Sequence, residues 1–210
     1  MGNGVRNPLQ GAFAGKVFNP ISLFEQFPLS VEDRIKKVPD GAGGVNEEKI
    51  KFPVWFVPEA TGGTPMKEAL KVAAIELASW CDNHSDSYPP TVLHVTDGES
   101  SDGDPESIAE QMGQLSTNDG SVLLFNLHTS DEGLRPIKFP VSEDEITDIH
   151  GKSLFRMSSI LPEGVSLAAR EKGYSVADKS RGFFFNVEPI EIVDFFDIGT
   201  RASSQSMQLR

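Results

Sequence analysis

Apolar residues recur at three- and four-residue intervals through Met66, Ala69, Leu70, Ala73, Ala74, Leu77 and Trp80, with Lys67, Glu68, Lys71 and Glu76 on the other faces. That spacing predicts an amphipathic helix. Thr64 stands where a cap belongs, and Pro65 fits the first turn. Thr91 to Val95 reads as a strand. Asp104 and Pro105 then open a second helix with Ile108, Met112 and Leu115 on one face, ended by the stretch "TNDG" at 117–120. Ser121 to Leu127 is apolar nearly throughout rather than alternating, the mark of a strand buried on both faces. Helix, strand, helix and buried strand in this order predict an α/β fold with parallel strands.

The pattern continues less cleanly on either side. Leu161 to Gly173 predicts a short helix closed by its glycine, "RGFFFN" at 181–186 a strand, and Pro189 to Gly199 a final helix stopped at Gly199. Residues 200–210 are left as a flexible tail. Met1 to Gly44 is broken by glycine and proline into loops, and Phe52 to Val57 is a strand candidate whose Pro53 places it at an edge or a bulge. The expected organisation is therefore a loop-rich segment over 1–50, an α/β domain over 51–199 and the tail.

Charge narrows the partners. The chain has 19 Lys and Arg against 31 Asp and Glu, a net charge of -12. Such a surface repels phosphate backbones and anionic membranes, so neither nucleic acid nor a membrane is expected as a partner. It suits a divalent cation or a basic protein surface, and equally serves solubility alone. No window approaches the roughly 18 uninterrupted apolar residues of a membrane span. Cys81 is the only cysteine, and no charged-then-apolar leader precedes the first Pro and Gly residues. A reducing, cytoplasmic setting is expected, with Cys81 a packed thiol beside Trp80. His94 and His128 fall in neighbouring strands, as a zinc pair or, the better reading, as core histidines with one hydrogen bond each. The chain has no HExxH, no CxxC and no G-x-S-x-G elbow, and "GAGG" at 41–44 is a turn rather than a phosphate loop.

The strand from Thr91 stops on Thr96-Asp97-Gly98. In open parallel sheets, ligands collect beyond the carboxyl ends of the strands. Asp97 stands at such an end, with a glycine after it that lets the chain turn sharply. Glu99, Ser100, Ser101, Asp102 and Asp104 add oxygen donors of the hard type that Mg²⁺ or Ca²⁺ prefers, without the ordered spacing of a calcium loop. Taken singly, Asp97 reads as well as a turn carboxylate and Thr64 as a plain helix cap.

"TGGTPMKEAL" at 61–70 and "TVLHVTDGESSDGDP" at 91–105, one helix and one strand apart, resemble the second and third metal-site motifs of the von Willebrand factor A domain family. The similarity runs on through "SVLLFNLHTS" and "RGFFFN", from about Phe52 onward, and the closing "FFDIGTR" is similar to that of bacterial members. The resemblance implies a Rossmann-like fold with a mostly parallel sheet flanked by helices. It implies a protein-binding module rather than an enzyme, with a metal-ion-dependent adhesion site. Thr64 and Asp97 would be ligands of Mg²⁺, or of Mn²⁺ or Ca²⁺, and an acidic group of a protein partner would complete the shell. Bacterial members accompany an ATPase, a kinase or a phosphatase.

The family's first motif, Asp-x-Ser-x-Ser, is missing before Thr64; "HSDSY" and "SSDGD" follow the wrong elements. In the family fold the strand carrying that motif is central, and without it the strand ending at Asp97 would have an unpaired edge. On this reading "MGNGV" is a remnant of the family's second strand, and Met1 is an internal methionine or a late start. Two other readings stay open. One is a Mg²⁺-dependent phosphoester hydrolase using Asp97, for which no second strand-end carboxylate is visible. The other is a metal-free truncated remnant serving as an interaction surface.

Overall fold

The computed structural model describes residues 4–39, 41, 43–59, 62–97, 99–129 and 135–208, with side chains described through residue 201. Two compact units divide the chain, Met1–Gly62 and Gly63–Arg210.

In the first unit Ser30–Pro39 (β1) and Val45–Val54 (β2) pair antiparallel, from Ser30 opposite Val54 to Pro39 opposite Val45. The loops expected up to Gly44 and the strand expected over Phe52–Val57 are both corrected by this ribbon, which crosses the boundary expected at residue 50. Its physical reason is exposure. Nearly every residue of β1 and most of β2 face water, so neither strand needs the alternating pattern that betrays a half-buried one. A short helix, Ile21–Phe24 (α1), lies beside a small aromatic cluster. Phe24 stacks on Phe13 at 4.3 Å and meets Trp55 edge-on at 6.0 Å. The Trp55 indole N–H donates to the Phe24 carbonyl at 2.7 Å.

The second unit is a mixed α/β structure in which helices flank a mostly parallel sheet. Its elements are Met66–Asn83 (α2), Thr91–Thr96 (β3), Glu106–Met112 (α3), Ser116–Thr117 (β4), Gly120–Ser121 (β5), Leu123–His128 (β6), Ile137–Lys138 (β7), Ile149–Met157 (α4), Glu163–Glu171 (α5), Phe183–Phe185 (β8) and Pro189–Gln208 (α6). The sheet runs β3-β6-β8-β7; β3, β6 and β8 are parallel and β7 is antiparallel. β6 is buried at every residue, as its unbroken apolar run requires. Successive side chains of β6 go to opposite faces. Leu124 joins Leu70 and Leu77 of α2, Met112 of α3 and Leu154 of α4. Leu123, Phe125 and Leu127 join Val165 of α5 and Phe195 and Ile198 of α6.

Three local expectations change. The "TNDG" stretch does not stop α3, which ends at Met112; it turns the small β4–β5 hairpin, with Thr117 opposite Gly120. Gly199 does not end α6, which continues to Gln208 through the expected tail. That glycine is there for packing: a Cβ on it would lie 2.6 Å from Cδ2 of Leu93. α4, which no periodicity announced, forms because Asp148 caps it through the Gly151 N–H and Leu154 and Phe155 reach the core. Among the described residues no helix is long and apolar enough to cross a membrane.

Candidate functional site at the carboxyl end of β3

Two loops meet beyond β3, and each carries one of the expected ligands. The Ser101 N–H donates to the Thr64 carbonyl at 2.8 Å. Gly63 lies so close to the other loop that a Cβ there would sit 2.7 Å from the Ser101 hydroxyl oxygen. Only glycine allows that approach. Thr64 is half-buried and Asp97 exposed. Gly98, whose turn was to aim Asp97, lies outside the described residues, as do Met1, Gly2 and Asn3 of "MGNGV".

Thr64 is not the cap of α2. The residue before the helix is Pro65, and no side chain there satisfies the first N–H groups. Asp102 does so from the other loop, its two oxygens accepting from Lys67 N–H at 3.0 Å and Glu68 N–H at 2.8 Å. The Ser100 hydroxyl donates to the same carboxylate at 2.8 Å. Desolvation pulls the Asp102 carboxyl upward, but the bonds from Glu68, Ser100 and Lys67 outweigh it and hold it below the usual carboxylate range. A helix N-terminus is a positive end, so the carboxylate is well placed there. Asp102 is thereby committed to capping. Asp104 is similarly engaged, accepting the Glu106 N–H at 2.9 Å at the start of α3.

The oxygen-rich loop is therefore mostly scaffold. A cleft of about 370 Å³ beside it is lined by Glu99, Ser100, Asp104, Glu106, His150 and Arg156. Glu99 lies 3.9 Å from His150. Arg156 bonds Glu106 at 2.5 Å and Glu143 at 3.0 Å, and its guanidinium holds Glu106 below the usual carboxylate range. Sequence reasoning missed this clasp because its partners are 50 and 13 residues apart, beyond any local pattern.

Among the described residues, no group of three or more His, Cys, Asp and Glu side chains comes together to hold a metal ion. The two expected ligands on these loops are the exposed carboxylate of Asp97 and the hydroxyl of the half-buried Thr64. Both are hard oxygen donors. As donor types they suit a Mg²⁺ that keeps most of its waters, and two such side chains fall short of a protein cage.

The two strand histidines are engaged by different neighbours. His94 lies opposite Asn126 in the β3–β6 ladder, with its Nδ1 2.8 Å from the Asn126 Oδ1. Asn126 donates its amide hydrogens to the Leu154 carbonyl at 3.2 Å and the Ser158 hydroxyl at 2.9 Å. Its oxygen is thus left to accept from His94, which fixes the proton on Nδ1. Burial lowers the His94 pKa, and the bond to Asn126 offsets part of that. His128 stacks on Phe185 at 4.9 Å.

Comparison with protein-family models, with curated proteins and with solved structures returned no match.

Proposed function

We propose that the chain is a protein-binding module of the von Willebrand A kind, with a partial metal-ion-dependent adhesion site formed by Thr64 and Asp97. The observation that supports this reading is the seam between the two loops. The Ser101 N–H to Thr64 carbonyl bond and the Asp102 cap on α2 hold the hydroxyl-bearing loop against the loop that follows Asp97. Asp97 and Thr64 would hold a hydrated Mg²⁺, and the ion would supply a positive charge for an acidic side chain of a protein partner to ligate. An exposed Asp97 leaves room for that approach. An ATPase, kinase or phosphatase is the kind of partner the resemblance suggests.

Calorimetric titration of the purified chain with MgCl₂ and MnCl₂ tests the site. Binding at millimolar concentration or tighter, abolished in Asp97→Ala and weakened in Thr64→Ala, is the expected result. No heat from a folded sample removes the cation from the proposal. Turnover of p-nitrophenyl phosphate that depends on Asp97 would replace it with the hydrolase reading.

A further inference from the structure

Asp104, Glu106 and Arg156 line the cleft beside the oxygen-rich loop and also a second hollow, a groove of about 550 Å³. The residues lining this groove all belong to the unit Gly63–Arg210. One wall is α3, with Ser107 and Glu110. The other is the end of α4 and what lies beside it, with Ser159 and Arg181. Leu124 and Met157, both buried, give the groove an apolar floor.

Arg181 is unlike the other arginines. Every other described arginine stands within salt-bridge distance of an Asp or Glu carboxylate. Arg181 has no such partner among the described residues, although the chain carries 31 Asp and Glu. Its Nη1 donates to the Arg156 carbonyl at 3.2 Å and to the Ser158 carbonyl at 2.6 Å, where α4 ends. Its guanidinium carbon lies 5.2 Å from the centroid of the Phe155 ring. These contacts fix the group in place without neutralising it, and they occupy only one of its three nitrogens. Nε and Nη2 have no acceptor among the described residues. That fork is the part of an arginine that grips a carboxylate with two parallel bonds.

Glu110 is its counterpart on α3. It is exposed, and no cation of the described residues reaches it. The Glu106 carboxylate, by contrast, is already matched by Arg156. One groove thus holds a cation and an anion that lack partners and do not bond each other. A simple anion would be drawn to Arg181 and opposed by Glu110, and a simple cation would meet the reverse. A ligand carrying both charges suits both walls. Ser159 adds a donor: its hydroxyl oxygen accepts the Leu124 N–H at 3.0 Å, which leaves the hydroxyl hydrogen to give.

We propose that the groove binds a free α-amino acid with an apolar side chain. The carboxylate lies on Nε and Nη2 of Arg181, the ammonium faces Glu110, and the side chain rests on Leu124 and Met157. The groove falls within the range of roughly 300–1,000 Å³ usual for small-ligand sites. Because Arg181 is held by two carbonyls before any ligand arrives, little ordering is left for binding to cost. The site is separate from Thr64 and Asp97 and needs no cation there.

Calorimetric titration of the full chain with L-leucine and L-methionine tests this. The expected Kd is about 1 mM or tighter. Two analogues should bind at least about tenfold more weakly, each lacking one charge-assisted contact: 4-methylpentanoate, without the ammonium, and leucinamide, without the carboxylate. Arg181→Lys, which keeps a donor for the α4 carbonyls but loses the fork, should weaken leucine at least about tenfold. Glu110→Gln, a change at an exposed position, should do the same, so either variant can be read if the other misfolds. A folded chain that takes up neither amino acid at about 10 mM overturns the proposal. So does leucine binding that neither variant weakens, or either analogue binding as tightly as leucine.

Discussion

Asp102 accepts the backbone N–H of Glu68 at 2.8 Å across 34 residues of sequence. With the Lys67 N–H on its other oxygen, one carboxylate both caps α2 and fastens the loop after β3 to the loop before α2. Removing a cap costs about 1 kcal/mol, equivalent to a fall of roughly 2–4 °C in Tm for a unit of this size. Asp102→Ala should show that loss by thermal unfolding at pH 7. It should also weaken any Mg²⁺ binding at Asp97 without removing a ligand. An Asp102→Ala protein as stable as wild type would show that the contact is not a working cap.

Gly199 and Gly182 should respond unequally to the same substitution. Alanine in a helix interior is favoured over glycine by about 1 kcal/mol, but at Gly199 the new methyl meets Leu93 at 2.6 Å, and overpacking costs about 1–3 kcal/mol. Leu93 has a flexible end that can give way, so the net loss for Gly199→Ala should be about 1 kcal/mol. At Gly182 the methyl would run into the ring of Phe125, a fully buried residue with nowhere to retreat. Gly182→Ala should cost about 3 kcal/mol. Urea midpoints of the two variants in the reverse order would contradict this account.

These two glycines also show where sequence reading stops. The α2, β3, β6 and β8 elements were legible because burial imposes a pattern, whether amphipathic spacing or an unbroken apolar run. Gly199 looked like a stop signal because sequence records the missing side chain but not the Leu93 side chain that needs the room. β1 and β2 were hidden for the opposite reason: a ribbon wetted on both faces has no pattern to show. Part of the candidate site was legible. The strand-end rule placed Asp97 beyond β3, and the helix between them placed Thr64 on a neighbouring loop. The cap was assigned to Thr64 because local pattern recognition searches within a turn, whereas Asp102 acts from 34 residues away.

Asp197 gives the folded chain an acid-sensitive contact. Arg201 bonds its carboxylate through two nitrogens at 3.0 and 2.9 Å, and Lys172 lies at 2.8 Å. Arg201 first and Lys172 second push its pKa down to about 2 from 3.8. A depressed carboxylate pKa contributes stability that is fully present above the unfolded value and is lost as pH falls toward the folded one. The loss should therefore fall between pH 3.8 and about 2. Asp197→Asn should be less stable than wild type at pH 5, and the gap between their urea midpoints should narrow at pH 2.5. The site is exposed, so high salt should shrink the gap at pH 5 as well.

His94 should act at milder pH. Burial lowers its pKa below 6.5, and the bond to Asn126 only partly opposes that. The folded state therefore holds the ring neutral, while the unfolded chain begins to protonate it near pH 6.5. Its contribution to stability is intact above that value and declines as pH falls toward the lower folded pKa. The groups around it are neutral at these pH values: Asn126 bonds the ring, and Ser158 and the Leu154 carbonyl bond Asn126. No nearby carboxylate in this network is placed to stabilise an imidazolium. Wild-type urea midpoints should fall between pH 7.5 and pH 5, and His94→Gln, which keeps a donor for Asn126 but cannot titrate, should fall less. If the two proteins lose stability in parallel across that interval, the proton is taken up elsewhere and His94 is a structural residue without a pH role.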